Sequence, residues 1–233
     1  MKYRSRLIAG ALACLVSGIA TAHEPDPSQR SLELNEAAVG SVQFANSCSQ
    51  SVQPLFNRGI ALLHSFWFAA AIDTFSEVLE ADPKCAMAEW GKAMAHWGNP
   101  LGNNRAKALL RSGSEAVARA STLATGDPRE RDYIDAVATL YEDFENTPDH
   151  HRSVAFEKAM EQLSLRYPND SEAAIFYAMA LNGSADLSDK TYAQPLRAAK
   201  ILEAAFEAQP NHPGIAHYLI HSYDVPSLAK RAL

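Results

Sequence analysis

The chain has 233 residues, 47% of them hydrophobic and 21% charged, with a formal net charge of −6 at neutral pH. That composition supports a packed core rather than a disordered chain. The acidic balance makes nucleic acid and anionic membranes poor partners. The length suits one domain, or a short solenoid that behaves as one.

Residues 1–22 read as a secretory signal. Lys2, Arg4 and Arg6 precede an apolar run, Leu7–Ile19, and Ala20-Thr21-Ala22 supplies the small residues of a cleavage site. The run is short for a membrane span. The other readings are an uncleaved anchor or a lipoprotein modified at Cys14, which would need a cut through the apolar core. Removing three basic residues leaves a mature net charge of about −9, and the expected location is the periplasm or the medium. Residues 23–50 form a mostly polar leader, expected to become ordered toward Val42–Phe44. If cleavage exposes His23, its amine and imidazole could chelate copper together; the plainer reading is a loose tail.

Cys48 and Cys85 are the cysteines that survive processing, and in an exported chain they predict one disulfide. Closing that loop would stabilise the fold by about 4 kcal/mol in the chain-entropy model. The rivals are two free thiols, or a metal site with His64 and His96, although these spacings match no compact zinc finger.

The helical domain is expected over residues 51–233. Val52–Pro83 reads as two amphipathic helices broken near Trp67–Phe68. The first carries Leu55, Phe56, Gly59, Leu62 and Leu63, and the second Ala71, Ile72, Phe75, Val78 and Leu79. Gly59 inside a helix costs stability unless something packs closely on it, which predicts a hairpin with closely approaching backbones. A third helix ends at Gly98, and Gly98–Gly102 is a break. Further helices are expected over Arg105–Leu123, from Pro128 through the stripe Tyr133, Val137, Leu140, Tyr141 and Phe144, over Ser153–Tyr167, over Ser171–Leu181 and over Pro195–Gln209. Glu142, Asp143 and Glu145 followed by Asp149-His150-His151 could form a metal or acid–base site, but a solvated loop explains them as well. The acidic residues of Pro128–Asp132 suit a helix start.

The second helix of the hairpin recurs. The pattern Ala71, Phe75, Val78, Pro83 is repeated by Ala116, Ala120, Leu123, Pro128, by Phe156, Met160, Leu163, Pro168, and by Ala198, Leu202, Ala205, Pro210. Ala93, Ala138 and Ala178 follow the first three prolines at a constant distance, while Ile220 stands at the corresponding place after Pro210. These residues resemble the tetratricopeptide repeat family, with Gly59, Ala71, Phe75 and Pro83 the nearest unit and longer spacings between the others. The segments Leu63–Phe68 and Cys85–Gly91 also resemble a group of bacterial exported proteins with divergent repeats, from which no activity is carried over. The resemblance implies an all-α solenoid of about four helix pairs plus a partial fifth, with the first helix of each pair lining a concave surface. The chain stops on Ser227–Leu233 with no polar capping helix, which suggests a fragment or natural truncation, or a partner that covers the end.

His217 and His221 lie four residues apart and share a helix face. That spacing suits two metal ligands, but the sequence offers no obvious third. No P-loop, HExxH or Gly-x-Ser-x-Gly turn is present, so no catalytic residue is assigned. The function expected from the fold is an exported scaffold that binds a protein or peptide in its concave groove. The groove candidates are His64, Trp67, Trp90, Trp97, His217, Tyr218 and His221, each aromatic being equally suited to packing. No cofactor is expected on this reading. The alternative is a metal-binding or metal-dependent protein using His64, His96, His217 and His221. The exported chain has no stable membrane insertion after signal cleavage on either reading.

Overall fold

In the computed structural model, residues 39–124 and 126–232 are described. The signal segment, Cys14 and His23 lie outside them, as does most of the leader. Nine α-helices are found among the described residues, with no strand. They are α1 (Gln53–His64), α2 (Phe68–Ala81), α3 (Ala86–Trp97), α4 (Lys107–Leu123), α5 (Pro128–Ala138), α6 (Asp149–Arg166), α7 (Ser171–Gly183), α8 (Ala193–Ala208) and α9 (Pro213–Tyr223). No described helix is long and apolar enough to cross a membrane.

The helix ends follow local chemistry. Asp127 and Asp170 cap α5 and α7 by accepting from the Arg129 and Ala173 amides. Pro54, Pro128 and Pro213 sit in first turns, where no intrahelical donor is lost. Helix α1 stops differently. Phe66 adopts φ of 59°, and the Trp67 and Phe66 amides bond back to the Leu62 and Leu63 carbonyls. This is the left-handed helix stop that glycine usually occupies, here made by a bulky aromatic. Helix α6 begins at Asp149, four residues before the expected Ser153. Asp149, His150 and His151 therefore form its first turn rather than a loop. Asp149 pairs with Arg105 and Arg152, and Glu145 pairs with Lys107 and Arg111. Two of the carboxylates proposed for an acid–base site, Glu145 and Asp149, are thus held in separate ion pairs.

Consecutive helices pack as antiparallel hairpins, and alternate helices also touch: α1 on α3, α3 on α5, and α7 on α9. This is a helical solenoid with the odd-numbered helices inside. Most of the helical positions of the repeat pattern form its buried seams. Ala71, Phe75, Val78, Ala116, Ala120, Met160, Ala198 and Leu202 are all buried. Gly59 is explained by a side chain rather than by the close backbone approach expected for it. The Phe75 ring lies between Gly59 of α1 and Gly91 of α3, and a Cβ at either would come within 2.7 or 2.5 Å of it.

Two features depart from an open repeat array. First, α9 packs directly on α1, so the last helix returns to the first. Second, the segment Val39–Cys48 runs across the inner helices. Phe44, 1% exposed, meets Phe56 of α1, Trp90 of α3 and Tyr133 of α5 with ring centroids 5.8, 5.6 and 5.0 Å away. Its amide donates to Asn57, and its carbonyl accepts from Gln53. Ser47 bonds Glu130, Arg129 donates to the Ala45 carbonyl, and the Ser41 amide reaches the Asn211 carbonyl. Cys48 is then bonded to Cys85, as the sequence predicts. The inner side of the solenoid is consequently filled by its own side chains.

Candidate functional site

Most of the chemistry-bearing side chains converge where α1, α7 and α9 meet. His64 ends α1, Glu172 lies in the first turn of α7, and His212 caps the start of α9. All three are buried. Glu172 accepts from both imidazoles: its Oε2 lies 3.0 Å from His64 Nε2 and its Oε1 lies 2.8 Å from His212 Nε2. On the far side of the His64 ring, Nδ1 is 2.8 Å from the Tyr218 hydroxyl. Gly214 makes room for this arrangement, since a Cβ there would come within 2.6 Å of His64 Nδ1. Phe176 stacks on the His64 ring at 4.6 Å.

The protons follow from these contacts. Burial, together with the nearby Glu172 carboxylate, raises the Tyr218 hydroxyl well above its usual range, so Tyr218 keeps its proton and donates it to His64 Nδ1. Nε2 of a neutral His64 then carries the hydrogen that points at Glu172. Burial lowers the His64 pKa, outweighing the hydrogen bond and charge of Glu172. For Glu172 burial acts upward, but the hydrogen bonds from His212 and His64 prevail and bring it to about 2. Its place in the first turn of α7 also favours the carboxylate. The centre is therefore a buried carboxylate between two imidazoles. His212 Nδ1 has no hydrogen-bond partner among the described residues.

One ligand atom from each of His64, Glu172 and His212 can be chosen so that all lie within 4.8 Å of one another. A tetrahedral ion with bonds of about 2.0–2.2 Å needs donor spacings of about 3.4 Å, so modest closure of the rings would seat one. Two imidazoles and a carboxylate suit Zn²⁺ and other borderline divalent ions. Moving the His64 proton from Nε2 to Nδ1 would free Nε2 for the ion. Tyr218 would then accept instead of donate, a reversal its hydroxyl permits. Such an ion would be enclosed by protein, the setting of a structural ion rather than of one with an open catalytic position.

The other sequence candidates are distributed as follows. His217 Nδ1 lies 2.6 Å from the His64 carbonyl oxygen, and His217 Nε2 lies 3.1 Å from His221 Nε2. These two histidines form a half-buried pair next to the buried centre. His96 is half-buried on α3 with Lys92, Arg119, Glu89 and Glu115 as its charged neighbours, and it does not join the other histidines in a ligand group. Trp90 is a core residue, packed on Phe44, Tyr133 and Phe176. Trp97 is 3% exposed, with the guanidinium groups of Arg105 and Arg152 over its ring. Tyr218 is buried as well, and Trp67 alone of these aromatic candidates is exposed, at 45%.

Sequence reasoning missed Glu172 and His212. Glu172 has the appearance of an ordinary acidic residue in a helix start. His212 stands next to Pro213 and Gly214, where the regularly spaced pair that follows is the stronger pattern. The one available signal was a buried-type helix, Ser171–Leu181, opening with a carboxylate.

No protein-family model, curated protein or solved structure matches the chain.

Proposed function

We propose that this chain is an exported, metal-binding helical-repeat protein whose ion is held by His64, Glu172 and His212. The observation that carries this reading is the convergence of two imidazoles and a carboxylate, from three helices distant in sequence, within 4.8 Å. The secretory pattern of residues 1–22 and the Cys48–Cys85 bond support export. The buried repeat positions support the likeness to tetratricopeptide arrays.

The test is metal analysis of untagged protein exported through its own signal. The expected result is about one equivalent of a divalent ion that survives brief exposure to a chelator and is absent from Glu172→Gln and His212→Gln. Metal-free wild-type protein with an intact disulfide, which takes up no Zn²⁺ on refolding either, would overturn the proposal.

A second reading is the interaction scaffold with a protein or peptide partner. Because Trp90, Trp97, His64 and Tyr218 are buried, its contact surface would lie away from those side chains. The exposure of Trp67 at 45% and Ile220 at 53% favours this reading. Capture of a partner by wild type but not by Trp67→Ala with Ile220→Ser would support it.

A further inference from the structure

We infer that His217 and His221 form a second, solvent-reachable site for a borderline divalent transition-metal ion such as Zn²⁺. This inference stands whether or not the buried centre holds an ion.

The position of the proton on His217 follows from its neighbours. Its Nδ1 faces the His64 carbonyl oxygen at 2.6 Å. A carbonyl can only accept, so Nδ1 carries the hydrogen and Nε2 of a neutral ring carries the lone pair. That lone pair faces His221 Nε2 at 3.1 Å. The separation is close to the donor–donor edge of about 3.4 Å required by a tetrahedral ion with Zn–N bonds of about 2.0–2.1 Å. A ligating histidine commonly gives its other N–H to a backbone carbonyl, which fixes both tautomer and ring orientation. The end of α1 supplies that carbonyl here. For His221, turning the Nε2 hydrogen over to Nδ1 leaves a second lone pair facing the same point.

The rings are also held in place. Phe66 lies edge-on to His217 at 4.3 Å and stacks on His221 at 6.0 Å with an interplanar angle of 15°. This is the residue held at φ of 59°, a conformation costly for a bulky side chain. The backbone strain at the end of α1 thus accompanies the positioning of an aromatic ring against both imidazoles.

Unlike His64 and His212, the two rings are only half-buried, so water can complete the coordination shell and the ion can exchange. Asp224 is the carboxylate that acts on His221, adding negative charge beside the site. His64 belongs to both places, its ring in the buried centre and its carbonyl behind His217.

The experiment is a Zn²⁺ titration of the full exported protein with its disulfide formed, read by calorimetry and by long-range ¹H–¹⁵N spectra of the histidine rings. The expected result is one chelator-removable equivalent, with the Nε2 resonances of His217 and His221 moving together. That equivalent is lost in His221→Ala and in His217→Ala but kept in Glu172→Gln. His221→Ala is the decisive variant because, among the described residues, the one side-chain hydrogen bond of His221 is to His217, so the ring can be removed with the fold intact, as circular dichroism would verify. Unchanged stoichiometry in a folded His221→Ala, or His217 and His221 resonances that ignore Zn²⁺, would overturn the inference. Loss of a slowly exchanging ion in Glu172→Gln alone bears on the buried centre and leaves this site untouched.

Discussion

At the scale of single residues, the buried centre makes stability depend on acid. His64 has a folded pKa below 6.5, so the unfolded chain binds that proton first and stability falls as pH drops below about 6.5. His96 and His221 are lowered too and act in the same direction. Glu172 is at about 2 rather than 4.5. Its contribution is complete above about pH 4.5 and disappears as pH falls toward 2. Urea midpoints of chelator-treated protein, measured from pH 8 to pH 3, should therefore decline in two windows. In Glu172→Gln the lower window should shrink to what the lowered Glu145, Glu161, Asp186 and Asp189 carboxylates contribute, with a loss of about 1–3 kcal/mol at pH 7 from imidazole N–H groups left poorly paired. The histidines themselves were legible in the sequence, and His217 and His221 are together as their spacing requires. The grouping of His64 with Glu172 and His212 was not legible, because it joins residues 108 and 40 positions apart through tertiary packing that no local pattern encodes.

At the scale of elements, glycine and phenylalanine define the first hairpin and its neighbour. Replacing Gly91 or Gly59 by alanine would favour an isolated helix by about 1 kcal/mol. The new Cβ would instead meet the Phe75 ring at 2.5 or 2.7 Å, and overpacking a rigid ring costs about 1–3 kcal/mol. Steric cost should win, so both variants should show lower denaturant midpoints with an unchanged m-value. The segment Val39–Cys48 supports a second expectation. Phe44→Ala removes a ring enclosed by three aromatics and should cost about 3–5 kcal/mol, while Cys48→Ser with Cys85→Ser should cost about 4 kcal/mol. Helix periodicity, proline stops and the cysteine pair made these elements readable. The early start of α6 was hidden because Asp149, His150 and His151 are weak helix formers, and the pairing of Asp149 with Arg105 is a tertiary contact.

At the scale of the whole packed unit, curvature decides what the solenoid can do. The repeat pattern specifies how each helix seats on its neighbours. It does not specify the small rotation per pair, and that rotation brings α9 back to α1 and leaves no open concave surface lined by Trp90 and Trp97. This closure should change the way the protein unfolds. In an open array each repeat contacts only its neighbours, and terminal repeats fray first. Here Tyr218 and His217 of α9 bond the ring and the carbonyl of His64 at the end of α1. Asn182 of α7 also bonds Ser222 and the Tyr218 carbonyl of α9. The first and last helices should therefore open together. Native-state hydrogen exchange is expected to give amides in α1 and α9 the same opening free energy, close to that of global unfolding. Tyr218→Phe should lower protection in both helices by about 1 kcal/mol. Markedly weaker protection in α9 than in α1, with Tyr218→Phe felt in α9 alone, would mean that the contact between the two ends adds nothing to the cooperativity of the fold.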